Sequence, residues 1–185
     1  MAHNIDQTAR QNGAAVYANT PAWHGLGVVL DHAPTAEEAI SEAGLDWTVE
    51  KRPLLFASPN GATPIEGTFV TVRTDTEKPF GIVSDEYTPL QNAEAFDALS
   101  IVLQEAGLRY ESAGALNGGS SIWLLARHPD RFEVAGDEVL RYVLLSTSHD
   151  GTGAVKIGET DVRVVCQNTL DLALGSKRGS WVSVR

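Results

Sequence analysis

His149 stands directly before Asp150-Gly151, and a histidine beside a carboxylate is a frequent acid–base or metal-binding pair. The partners available to such a site from elsewhere in the chain are Asp161 and His24. A plainer reading competes with it. Adjacent residues of a strand point to opposite faces, and Asp-Gly is above all a hairpin-turn dipeptide. The turn reading is preferred, so His149, Asp150 and His24 remain only secondary catalytic candidates, and no metal site or cofactor is assigned. Gly151-Thr-Gly153 and Gly118-Gly119-Ser120-Ser121 lack the spacing of phosphate-binding loops and read as turn glycines. Cys166 is the single cysteine, which excludes an internal disulfide and a zinc site built on cysteine pairs. Its setting, Val164-Val165-Cys166, is that of a buried strand end.

Charge points to a second kind of chemistry. The net charge is −10, but residues 1–140 carry −12 and residues 141–185 carry +2. Lys156, Arg163, Lys177, Arg178 and Arg185 form the basic set of that last quarter, with Trp181 among them. Cations along a groove plus a stacking aromatic are what single-stranded nucleic acid requires, and Tyr87 is a further candidate for stacking. An ordinary solvated face is the alternative. Trp23-His24-Gly25, on irregular backbone behind Pro21, is either a recognition loop or an anchor to the core.

The elements that must position these residues can be read in part. Thr35 to Gly44 is a short helix, with Thr35 as N-cap, Glu38 completing a capping box and Gly44 closing it. A second helix begins at Asn92 as N-cap, buries Phe96, Leu99, Val102 and Leu103, and ends at Gly107. Strands are expected over Leu45–Ala57 with a break near Pro53, over 68–74, 80–83, 109–115, 121–127, 139–148, 154–157 and 161–166. Asn117-Gly118 marks one hairpin and Asp150-Gly151 another. A helix follows over Asn168–Leu174, with Asn168 or Thr169 as its cap, and a last strand lies near the end. Residues 1–20 read as an N-terminal arm and 21–185 as one domain, cut short at its C-terminal end. The predicted class is α+β, a curved antiparallel sheet of hairpins packed against two or three helices.

Five blocks in order resemble a known family. They are Trp23-His24-Gly-Leu-Gly27; Val83-Ser-Asp-Glu-Tyr87-Thr-Pro89-Leu-Gln-Asn92 through Phe96; Gly114 to Gly119 with Ile122-Trp123; Leu144 to Ala154; and Val162 to Leu170. Together they resemble domain of unknown function 932, a phage- and plasmid-type family whose members are typically longer. A looser likeness, in arrangement only, is to the Rad52-like single-strand annealing proteins of phages.

Neither an apolar signal core nor a membrane-length apolar run is present, so the expectation is a cytoplasmic protein away from membranes. The first functional expectation is a recombination-type protein that binds or anneals single-stranded DNA as a homo-oligomer, through Lys156, Arg163, Lys177, Arg178, Trp181 and Tyr87. The alternatives are a phage protein that binds a host protein through its acidic surface, and a metal-dependent enzyme acting on nucleotides or nucleic acid through His149, Asp150 and His24. Binding is favoured over catalysis.

Overall fold

The computed structural model describes residues 3–59, 61–129, 132–134, 137–176 and 181–184. Strands β1 (Ala15–Ala18) and β2 (Val28–Leu30) precede helix α1 (Ala36–Ala43). Next come β3 (Val49–Ser58), β4 (Gly61–Arg73), β5 (Lys78–Ser84) and helix α2 (Asn92–Ala106). After these lie β6 (Arg109–Leu116), β7 (Ser121–Arg127), a small hairpin of β8 (Phe132–Val134) and β9 (Asp137–Val139), β10 (Tyr142–Ser148), β11 (Val155–Thr160), α3 (Gln167–Gly175) and β12 (Trp181–Val184). The class is α+β, as expected. Its sheet is mixed and not purely antiparallel: seven strands run in the order β12-β11-β10-β7-β6-β1-β2, with β1 and β2 parallel. Strands β3-β4-β5 form a separate antiparallel sheet.

The large sheet separates two cores because strand residues alternate faces. Val143 and Leu145 of β10 join Ala39 of α1 and Phe96, Leu99 and Leu103 of α2. Tyr142 and Leu144 face the other way, onto Leu170 and Ala173 of α3, with Tyr17 and Trp123. Helix α1 forms as read, with Thr35 and Glu38 closing a capping box and Gly44 left-handed at its end. Helix α2 starts one residue earlier than expected, since Gln91 is the N-cap and Asn92 the first helical residue.

Three further expectations are corrected. The N-terminal segment is no arm: Ala15–Ala18 lie wholly inside the sheet between β2 and β6, and Ile5 is also buried. Residues 161–166 form no strand; they connect β11 to α3. At the start of α3 the N-cap is Cys166, and the Thr169 hydroxyl reaches back to accept from the Val165 and Cys166 N–H groups. The break near Pro53 is present as a register shift between Pro53 and Leu55, where proline has no N–H to give the ladder.

Arg73, at the end of β4, joins the two sheets. Its guanidinium is fully buried and lies 4.3 Å over the Trp47 ring. It donates to Asp75 from Nε and Nη2 at 2.6 and 2.9 Å, and from Nη1 to Asp6 at 2.5 Å. Nη1 also lies 3.5 Å from the Gly118 carbonyl in the β6–β7 turn. Gly119 beside it has a φ of +94°, and a Cβ there would sit 2.8 Å from the Arg73 Nη1. Burial alone would raise the Asp6 carboxyl, but two bonds from Thr8 and the charge of Arg73 hold it below the ordinary carboxylate range. Removing one member of a buried pair leaves the other charge uncompensated, at about 3–5 kcal/mol. Arg73→Met is therefore expected to lose stability of that order in urea unfolding; a loss below about 1 kcal/mol would show that the pair does not hold the sheets together.

Candidate functional site

His149 ends up where sequence alone could not put it. The turn after β10 carries it inward, and its N–H donates to the Ser120 carbonyl at 2.8 Å. Its ring is fully buried, edge-on to Trp47 at 5.3 Å and stacked against Phe80 at 6.1 Å. Nε2 meets the Asn92 Oδ1 at 3.0 Å. Asn92 already uses its amide N–H groups on the carbonyls of Leu45 and Trp47, so its oxygen is an acceptor and His149 carries its proton on Nε2. Nδ1 is then a bare acceptor, enclosed with no donor among the described residues. Burial drives the His149 pKa down to about 4; Asp150 opposes this and Arg73 adds to it. A neutral, enclosed imidazole of this kind is a tie between the β10–β11 hairpin and α2. Its one proton is engaged by the Asn92 oxygen, and Nδ1 stays unprotonated near pH 7.

Asp150 forms the turn expected of Asp-Gly. Its Oδ1 accepts from the Thr152 N–H and hydroxyl at 2.9 and 2.7 Å, and Gly151 is left-handed at φ +77°. Burial would raise its carboxyl, yet the Thr152 and Ser148 bonds hold it below the usual range. The turn packs against β5 so tightly that a Cβ on Gly81 would lie 2.1 Å from the Asp150 carbonyl. Across from it, the Tyr87 hydroxyl donates to the Ser148 carbonyl at 3.3 Å, and burial raises its pKa. Between the segments 86–90 and 147–155 opens a cleft of about 640 Å³.

Helix α2 is held by neighbouring amides. The Gln91 side chain pairs with the β3 edge as a strand would, accepting from the Val49 N–H at 2.9 Å and donating to its carbonyl at 3.0 Å. Asn92 grips the Leu45–Trp47 segment and His149, as above. Neither role was legible in advance: Asn92 reads as a cap, and its partner His149 lies 57 residues away.

The remaining candidates are dispersed. His24 lies on the other face of the large sheet, against Tyr17 and Val165 of the α3-side core. Its Nδ1 accepts from the Leu26 N–H at 3.1 Å, so Nε2 donates to the Val165 carbonyl at 3.0 Å. His24 and His149 therefore do not converge, and Asp161 makes no third partner: among the described residues no three His, Cys, Asp or Glu side chains are grouped to hold a metal. Trp23 is 61% exposed beside His24. Arg163 is drawn into the fold, with Nε on Glu111 at 2.7 Å and Nη2 on the Thr20 carbonyl at 2.7 Å. The β10–β11 and β11–β12 registers put Lys156, Ser146, Ser183 and Trp181 on the α3 side. Tyr87 is not with them, since its cleft is lined by Leu90 and Val155, which pack on the α1–α2 core. Lys177, Arg178 and Arg185 lie outside the described residues.

The sequence model of one family, described as Domain of unknown function (DUF932), matches residues 79–185, and the chain belongs to that family. The matched span holds both walls of the cleft, together with Asn92 and His149. Among curated proteins and among solved structures nothing matches the chain. No helix of the described residues is long and apolar enough to cross a membrane.

A pH dependence follows from the buried imidazole. Unfolding returns His149 from about 4 to its ordinary 6.5, so the unfolded chain takes up a proton that the folded chain refuses. Stability falls as pH is lowered from 6.5 to about 4 and the effect levels off below that, amounting to about 3 kcal/mol. Denaturant unfolding of the wild type and His149→Gln at pH 7 and pH 4 is expected to show the wild type losing its advantage by about that amount. A stability difference that stays constant with pH would contradict it.

Proposed function

We propose that this protein handles nucleic acid, binding single-stranded DNA as a homo-oligomer of recombination type in the cytoplasm. The observation that supports the reading is the β11–β12 edge. There Lys156 pairs in register with Ser183, and Gly158 with Trp181, so the lysine and the indole share one face. Lys156 has no internal partner among the described residues, and Lys177 and Arg178 lie four and three positions before Trp181 in the chain. Such an edge offers cations for phosphates and an aromatic for a base. Arg163 would act here as a brace for the connection into α3, since its donors are spent on Glu111 and Thr20. Tyr87 belongs to a different surface.

A second reading, an acidic face that binds a host protein, has its own support. Arg10, Arg52, Arg73, Arg127 and Arg163 are all turned to internal carbonyls or carboxylates. Glu37, Asp46, Glu66 and Glu105 have no cation opposite them among the described residues.

Fluorescence anisotropy with an oligo-dT strand separates the two. The first reading expects affinity to fall steeply between 50 and 200 mM salt, with Lys156→Ala weakening it and lowering the salt slope by about 0.7. Absent or salt-insensitive binding removes that reading and leaves the acidic face. Light scattering on the same sample reports whether the species that binds is an oligomer.

A further inference from the structure

The cleft between the segments 86–90 and 147–155 has the makings of a binding site separate from the β11–β12 edge. Its floor is Thr147, only 5% exposed, whose hydroxyl has no hydrogen-bond partner among the described residues. Its walls include Thr88 and Glu86, whose polar side chains have no partner among the described residues, and the apolar residues Leu90 and Val155. Tyr87 adds a half-buried aromatic. Unused polar groups at the bottom and rim of a concave site are what fix a ligand's orientation, and a volume of about 640 Å³ suits a small molecule.

The chemistry of the lining narrows the occupant. Among the described residues no Lys or Arg lines the cleft, and the Glu86 carboxylate repels phosphate. A carboxylate accepts from the amino or imino N–H groups of a base, threonine hydroxyls either donate or accept, and an aromatic with aliphatic neighbours suits a flat ring. The walls are also fixed before anything binds. Tyr87 holds the Ser148 carbonyl, the Ser148 hydroxyl accepts from the Gly153 N–H at 2.9 Å, and His149 is tied to Asn92. Preformed walls spare a ligand the cost of ordering them.

We infer that this cleft takes a neutral nucleobase, supplied either as a free nucleoside or as one base of a strand. The site does not depend on the β11–β12 edge, because the cleft lies on the α1–α2 side of the sheet and Lys156 on the α3 side.

Calorimetry with adenosine, guanosine, cytidine and thymidine, with their 5′-monophosphates, and with short mixed-sequence oligonucleotides tests the inference. The proteins are the wild type, Glu86→Gln, Thr147→Val and Lys156→Ala, each checked for an unchanged thermal transition. Binding of at least one nucleoside or oligonucleotide is expected, weakened roughly tenfold or more by Glu86→Gln and by Thr147→Val. Monophosphates are expected to bind no tighter than their nucleosides. Nucleosides alone binding identifies a free ligand; oligonucleotides alone, with the same two variants defective, identifies a base held in a strand. Strand binding lost in Lys156→Ala but intact in both cleft variants, with no nucleoside bound, overturns the cleft and leaves the edge. Binding of a polyamine but of no base also overturns it, as does tighter binding of the monophosphates.

Discussion

A guanidinium with no access to water governs how this molecule is put together. Arg73 sits where three stretches of chain meet: the N-terminal segment through Asp6, the small sheet through its own strand and Asp75, and the β6–β7 turn through Gly118. A buried ion costs several kcal/mol if it loses its partner, so a docking of the small sheet shifted by one residue is penalised far more than a misplaced methyl group would be. Apolar surface drives the two sheets together, and the ion network selects one arrangement among those that bury similar area. Trp47, which carries the arginine on its ring, is also a wall for His149, so the same junction reaches the cleft.

From that junction the geometry passes outward through polar side chains that replace backbone. Gln91 completes a strand edge, and Asn92 satisfies two loop carbonyls and a histidine, so the start of α2 is fixed to both sheets at once. The residues just before it, Glu86 to Leu90, inherit that position. The cleft is thus framed by a loop that is held at one end by amides and along its length by the Tyr87 bond to Ser148.

Much of the local structure could be read from the chain. The capping box at Thr35 and Glu38, the glycine stops at 44 and 107, the Asn117-Gly118 and Asp150-Gly151 turns and the irregularity at Pro53 all depend on residues within a few positions of one another. What escaped was set by distant partners. Ala14 to Ala18 look unremarkable until β2 and β6 enclose them, and the apolar stretch at 162–166 serves to cover α3's side of the sheet without joining a ladder. The basic set divides for the same reason: nothing near Arg163 in the sequence reveals that Glu111 will neutralise it. The five family-like blocks were visible as text, but that two of them face each other across a cleft is a property of the fold.

The place of β1 has a consequence for how the chain is made. Its parallel neighbour β2 emerges soon after it, yet its antiparallel neighbour does not: Ala15 pairs with Gly114. At typical elongation rates of roughly 5–20 residues per second, the open side of β1 waits on the order of 5 to 20 seconds before β6 exists to cover it. During that interval one edge of a short, largely apolar strand is bare on the ribosome. A chaperone that covers this edge would protect it, and a stalled or truncated nascent chain would leave it open to aggregation.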